Sequence, residues 1–183
     1  MTDMIRTYRK EATGKLRFRD TWVLGDPPSR SMAVHTGVVG NPNGSLRTIQ
    51  VENRARYFTD FLADARAQGY REMAEDEYHL VIVQCRFADH RGDTAAEWIL
   101  EHGATAVSEH LRRRGLGHVD ECDYGNGILN ILCPVIDAPL AVTALRTIGN
   151  KNPRFKGRFT IGVRDELGDW TTAWPRPGDF ALF

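Results

Sequence analysis

The densest concentration of chemically capable side chains is His118-Val-Asp-Glu-Cys-Asp123, where a histidine, a cysteine and three carboxylates fall within one short stretch. In an extended strand successive side chains alternate, so His118, Asp120 and Cys122 share a face and offer nitrogen, oxygen and sulfur to a metal. No second cluster at ligand spacing completes the set, so neither a metal nor another cofactor is expected. The remaining histidines, His35, His79, His90, His102 and His110, are scattered.

Nucleophilic chemistry has little to work with. Cys85 and Cys133 lie inside the apolar runs "LVIVQCRF" and "GILNILCPV", where a thiol packs and its pKa rises. Three cysteines without a Cys-x-x-Cys pair argue against a disulfide framework and for buried reduced thiols. No serine stands in a Gly-x-Ser-x-Gly turn. The chain is therefore read as a non-catalytic binding protein.

Two surfaces are candidates for that binding. The tail residues Asp165, Glu166, Asp169, Trp170 and Trp174 combine acids with aromatic rings, a composition suited to a basic protein partner, and Asp120, Glu121 and Asp123 are further candidates for the same partner. Asp179 and Phe180 extend the same tail. The alternative is a nucleic-acid surface made by Arg17, Arg19, Arg47, Arg54 and Arg56. With 24 basic against 24 acidic residues the chain has no net field, so either partner must be held by a local patch. Arg112-Arg113-Arg114 closes a helical pattern, where cations complement the helix dipole.

The elements that position these residues fall into two patterns separated by the charged stretch "REMAEDEYH". Residues 1–76 and 77–183 are expected to form two domains of α+β class. In the first, "KLRFRDTWVL" and "SMAVHTGVVG" alternate apolar and polar residues and read as antiparallel strands, with "SLRTIQV" a third. Asn53 then caps a helix carrying Phe58, Phe61, Leu62 and Ala65 on one stripe, ended by Gly69. The second pattern runs "YHLVIVQCRF", a long helix, "HVDECDY", "GILNILCPV", a shorter helix and "RFTIGVR", the order βαββαβ of a ferredoxin-like unit. The long helix opens on Thr94-Ala-Ala-Glu97, a capping box, and presents Ile99, Gly103, Val107 and Leu111. The shorter one has Pro139 in its first turn and Gly149 near its end.

Between the first two strand runs and the third stands "HTGVVGNPNGS". A phosphate loop needs strand, glycine turn and helix; here a strand follows, and Asn41-Pro-Asn-Gly44 has the chemistry of a hairpin turn.

The order "FRDTWVL … AVHTGVVGNPNGSLRTIQVENRARYFTDFLADARAQGYREM" resembles a WGR domain over residues 4–74, with Thr36-Gly37-Val38 where the family reads Trp-Gly-Arg. In poly(ADP-ribose) polymerases such domains bind DNA ends and neighbouring domains, so the resemblance implies a sheet, a following helix and DNA or RNA as partner. Residues 78–183, through "GHVDECDYGNGILNIL" and "VRDELGDWTTAWP", resemble small bacterial ferredoxin-like proteins. That resemblance implies a protein partner, by analogy with immunity proteins of bacterial toxins. No apolar run approaches the ~20 residues of a membrane span, and the N-terminus lacks the apolar core of a signal peptide. A cytoplasmic protein without membrane contact is expected.

Overall fold

The structure is a computed structural model that describes residues 4–25, 29–87, 93–175 and 178–180. Period-two alternation in the first fifty residues becomes an antiparallel meander of β1 (Met4–Lys10), β2 (Leu16–Leu24), β3 (Ser31–Val38) and β4 (Ser45–Gln50), hydrogen-bonded in that order. β1 had escaped the sequence pattern because Ile5, Arg6, Thr7 and Tyr8 are all buried. Polarity does not alternate along it, although the backbone is extended.

One face of this sheet carries α1 (Arg54–Ala67), whose Phe61 packs with Ile5 and Val34 while Tyr57, Phe58 and Leu62 close the margins. Asn53 caps the helix by accepting from the Arg56 N–H at 3.0 Å. The C-cap is Gln68, one residue before the expected Gly69, which follows it at φ +79°.

The opposite face buries the ion pair Arg6–Asp20, whose guanidinium and carboxylate meet at 2.8 Å from directly opposite positions on β1 and β2. Tyr8 and Phe18 lie beside it, fully buried. The three glycines of the β3–β4 region serve different needs. Gly40 alone of the three has a positive φ, +87°, so the left-handed residue precedes Asn41-Pro-Asn-Gly44 instead of lying within it. Gly44 is required by space: a Cβ there would stand 2.6 Å from the His35 ring and 2.7 Å from the Thr36 carbonyl oxygen.

In the second unit β5 (His79–Arg86), α2 (Thr94–Arg112), β6 (Glu121–Gly125), β7 (Ile128–Val135), α3 (Ala138–Lys151) and β8 (Phe159–Arg164) follow the βαββαβ order, so the chain is of α+β class. Two further strands, β9 (Trp170–Trp174) and the two-residue β10 (Gly178–Asp179), extend the sheet to the order β10-β9-β8-β5-β7-β6, all neighbours antiparallel. Val81, Val83 and Cys85 stand opposite Cys133, Ile131 and Leu129 on the face that receives the helices. Ile99, Gly103, Val107 and Leu111 form the buried stripe of α2 that the 3.6-residue period required.

The cap of α2 is a correction. Asp93, not Thr94, accepts from the Ala95 and Ala96 N–H groups, both at 3.1 Å, and its other oxygen meets Arg158 at 2.6 Å. The arginine is 65 positions away, a partner no local pattern contains.

By contacts the chain divides into Met1–Glu75 with Arg113–Gly115, and Asp76–Arg112 with Leu116–Phe183. α2 itself ends at Arg112, so Arg113 and Arg114 lie beyond its last turn. Within the first unit Gly40 N–H donates to the Arg114 carbonyl and the Tyr8 hydroxyl to that of Gly115. Among the described residues no helix is long and apolar enough to cross a membrane.

Candidate functional site

Alternation along three adjacent strands builds a basic depression in the first unit. Arg19 of β2 stands opposite Thr36 of β3, which stands opposite Ser45 of β4, while Arg47 of β4 is opposite Val34. All of these side chains therefore emerge on the α1 face of the sheet, joined by Arg17 two residues before Arg19. The end of α1 contributes Gln68, and Tyr70 closes the floor of a depression of about 390 Å³. Arg17, Arg19 and Arg47 line it, and among the described residues no carboxylate does.

Two of these guanidiniums are held from outside. Arg17 Nε donates to Glu11, and Arg19 meets Asp64 at 2.7 Å while its guanidinium lies 4.7 Å from the Phe61 ring centre. The Arg17 hydrogen bond holds the Glu11 carboxyl below its ordinary range, and the Arg19 and Gln68 hydrogen bonds do the same for Asp64. Arg47 is exposed on the edge strand, with no ion pair among the described residues. Arg9 reaches over the Tyr70 ring at 4.8 Å and donates to the Gln68 carbonyl oxygen.

The other two candidate arginines lie elsewhere. Arg54 donates to the Ser29 carbonyl oxygen and Arg56 pairs with Asp60 at 3.6 Å, both at the opposite end of α1 from Gln68, about 20 Å along a helix of this length. The five-arginine surface is thus a group of three and a separate pair.

The acidic and aromatic set also divides. Asp120, just before β6, and Glu121 and Asp123 within it are exposed at one edge of the six-stranded sheet. Asp165, Glu166, Asp169, Trp170 and Trp174 belong to the β8–β9 turn and to β9, four strand spacings away, about 19 Å. Asp165 Oδ1 accepts the Leu167 and Asp169 N–H groups, both at 2.9 Å, so this carboxylate shapes the turn. Trp174 is half-buried with its ring 6.1 Å from Phe159, which continues to Phe155 at 5.1 Å. Trp170 stands 6.3 Å from Phe180. Trp174 thus packs β9 against β8, and Trp170 packs against the segment that follows β10.

What the sequence reading missed is Leu167 at the tip of that turn, 89% exposed between Glu166 and Asp169. An apolar residue inside "DELGD" was the available signal. The turn borders a shallow depression of about 850 Å³, floored by Tyr78, His79 and Leu80 and walled by Pro139 at the start of α3. Asp76, Asp165 and Glu166 outnumber Arg164 around it.

The residues singled out for chemistry are dispersed. Burial raises the Cys85 thiol to about 12 and pushes Cys133 up as well, so both stay protonated at neutral pH. Cys122, expected to be buried, is exposed on β6, which ends the strand order among the described residues. Among the described residues no three His, Cys, Asp or Glu side chains gather as a metal would need, and the His118 ring instead meets Tyr78 edge-on at 6.4 Å. His110 bonds the Ala144 carbonyl oxygen of α3 at 2.9 Å, and the His35 ring packs 4.7 Å from that of Phe18. His90 lies outside the described residues.

Compared with known proteins, the chain matches no family model, no curated protein and no solved structure. Its function has to be argued from its own geometry.

Proposed function

We propose that this chain is a non-catalytic binding protein that recognises a protein partner. The observation that carries the reading is Leu167, almost wholly exposed at the tip of an ordered turn and flanked by Glu166 and Asp169. A pre-shaped turn presenting one apolar anchor costs little ordering entropy on binding, and its acidic flanks suit a basic partner. An immunity or regulatory role is the biological form this reading takes, with the second unit as a ferredoxin-like domain supported by its βαββαβ order. Co-purification of the tagged chain from host cells, beside its Leu167→Asp variant, tests it. A partner retained by the parent and lost from an equally folded variant is expected; identical partner profiles would sink the reading.

Nucleic-acid binding by a WGR-like first unit is the second reading, favoured by the convergence of Arg17, Arg19 and Arg47 on one depression. The ion pairs to Glu11 and Asp64 weigh against it, because they cancel much of the field. It expects a shift of nicked or blunt-ended duplex in a gel at low salt. With at most three phosphate contacts, the log–log salt slope should reach no more than about −3.

A further inference from the structure

Among the described residues the four-stranded sheet has one edge without a neighbouring strand. β1, at one end, exchanges two hydrogen bonds with Arg71 through Tyr8, at 2.7 and 2.9 Å. β4, at the other, has a hydrogen-bonded neighbour on one side only, and all its residues but the half-buried Ile49 are exposed. Leu46 is 59% exposed. An open edge of this kind is a template for another strand, and proteins ordinarily blunt it with charged side chains, proline, a bulge or a cover; β4 carries one such charge, Arg47, which would repel a basic strand and admit an acidic one. Ser45–Gln50 has no proline, and its register with β3 runs unbroken from Ser31↔Gln50 to Thr36↔Ser45.

We infer that β4 takes up an acidic, extended segment of a partner protein, whose backbone adds to the sheet while one side chain places a carboxylate or phosphate among Arg47, Arg17 and Arg19. This goes beyond the protein-recognition reading at Leu167, because it concerns a separate site in the first unit alone.

The geometry supplies both halves of such a contact. Side chains of an added strand alternate, so every second one would lie on the α1 face. A residue opposite Ser45 or Arg47 would stand about 5 Å away between Cβ atoms, within reach of the Arg47 guanidinium. Arg17 and Arg19 each use part of a five-donor fork on Glu11 and Asp64, which fixes their orientation while N–H groups remain for an anion. Thr36 and Ser45 add hydroxyls.

The same features favour a protein segment over nucleic acid. Paired arginines act at short range, whereas a nucleic acid is drawn by an unpaired field tracking several phosphates. Single strands also need an open aromatic face for base stacking. Tyr70, the ring in this depression, is 9% exposed and covered by Arg9.

The experiment uses the full chain and three pools of nine-residue peptides, degenerate except for a central phosphoserine, glutamate or alanine. Binding is read by fluorescence anisotropy and by hydrogen exchange at Ser45–Gln50. One or both acidic pools should bind about tenfold tighter than the alanine pool, the scale of one charge-assisted contact, and should slow exchange at Ser45–Gln50. The phosphoserine and glutamate arms identify the anion. Arg47→Glu, an exposed change, should erase the preference. Arg47→Lys should retain part of it, with the charge but without the fork.

Equal binding of the three pools, or acidic binding that leaves exchange at Ser45–Gln50 unchanged, would overturn the inference. So would displacement of the acidic pools by a thymidine 20-mer at lower concentration, which would assign the depression to nucleic acid. Self-association in sedimentation with β4 already protected would assign the edge to a second copy. None of these results bears on Leu167, so the two readings fail separately.

Discussion

In the first unit the buried polar pair is ionic, Arg6 and Asp20 at 2.8 Å on β1 and β2. In the second it is neutral, Gln84 Nε2 donating to Asn130 Oδ1 at 2.9 Å across β5 and β7. Both pairs occupy directly opposite positions of an antiparallel ladder. Desolvating two charges is far more expensive than desolvating two amides, and removing one partner leaves a correspondingly larger debt. The buried pair of the first unit therefore carries a larger desolvation cost than that of the second. The edges differ in parallel: β4 carries Leu46 and Arg47, whereas β6 carries Glu121 and Asp123. One edge presents a cation and the other carboxylates.

The contrast breaks most directly at Asp20. Asp20→Ala should cost about 3–5 kcal/mol in urea unfolding, because it removes the opposing carboxylate from a buried guanidinium. Replacing the pair together, Arg6→Met with Asp20→Leu, should recover most of that. If the single change costs no more than its counterpart in the second unit, the ionic and neutral pairs are equivalent and the comparison fails.

That counterpart is Asn130→Ala, which withdraws the acceptor from Gln84 and should cost about 1–3 kcal/mol. A larger loss than at Asp20 would reverse the ranking.

A smaller, pH-dependent effect belongs to Asp93. The Ala96 N–H, then Arg158, hold its carboxyl below the ordinary 3.8. Its stabilising contribution is therefore complete above the unfolded-state value and lost as pH falls through the lower folded-state value. Asp93→Asn should flatten this acid-side loss in a comparison of melts at pH 3 to 6, and an unchanged slope would remove Asp93 from the account.

Least of all should stability respond to Leu167→Asp, within about 0.5 kcal/mol for an exposed position. A clear fall in Tm would mean that the turn holds the fold together, and would undo its reading as a partner surface.

Local patterning made much of the architecture legible. Phe61 and Ala65 on α1, and Ile99, Gly103, Val107 and Leu111 on α2, are buried at the positions their spacing indicated. Asn53 caps α1, and Pro139 stands in the first turn of α3. β1 was missed because a buried arginine mimics a polar, outward residue. β9 was missed because Trp170–Trp174 contains two exposed or half-buried threonines and no strong alternation. The Asp93 cap depended on weighing two adjacent capping residues, which Arg158 helped decide.

The sites were less legible than the elements. Arg17, Arg19 and Arg47 converge, but Arg54 and Arg56 do not, although all five looked alike as basic residues near one another in the chain. The acids at 120–123 and 165–169 were candidates for the same kind of partner, and they stand on different parts of the sheet.

Element type, order and buried faces were set by the sequence itself, because a helix or strand buries residues at its own local period of 3.6 or 2. Tertiary structure decided which elements became edges and which distant side chains met. Strand order such as β10-β9-β8-β5-β7-β6 is chosen by non-local packing and hydrogen bonding, and residues brought together that way share no spacing along the chain.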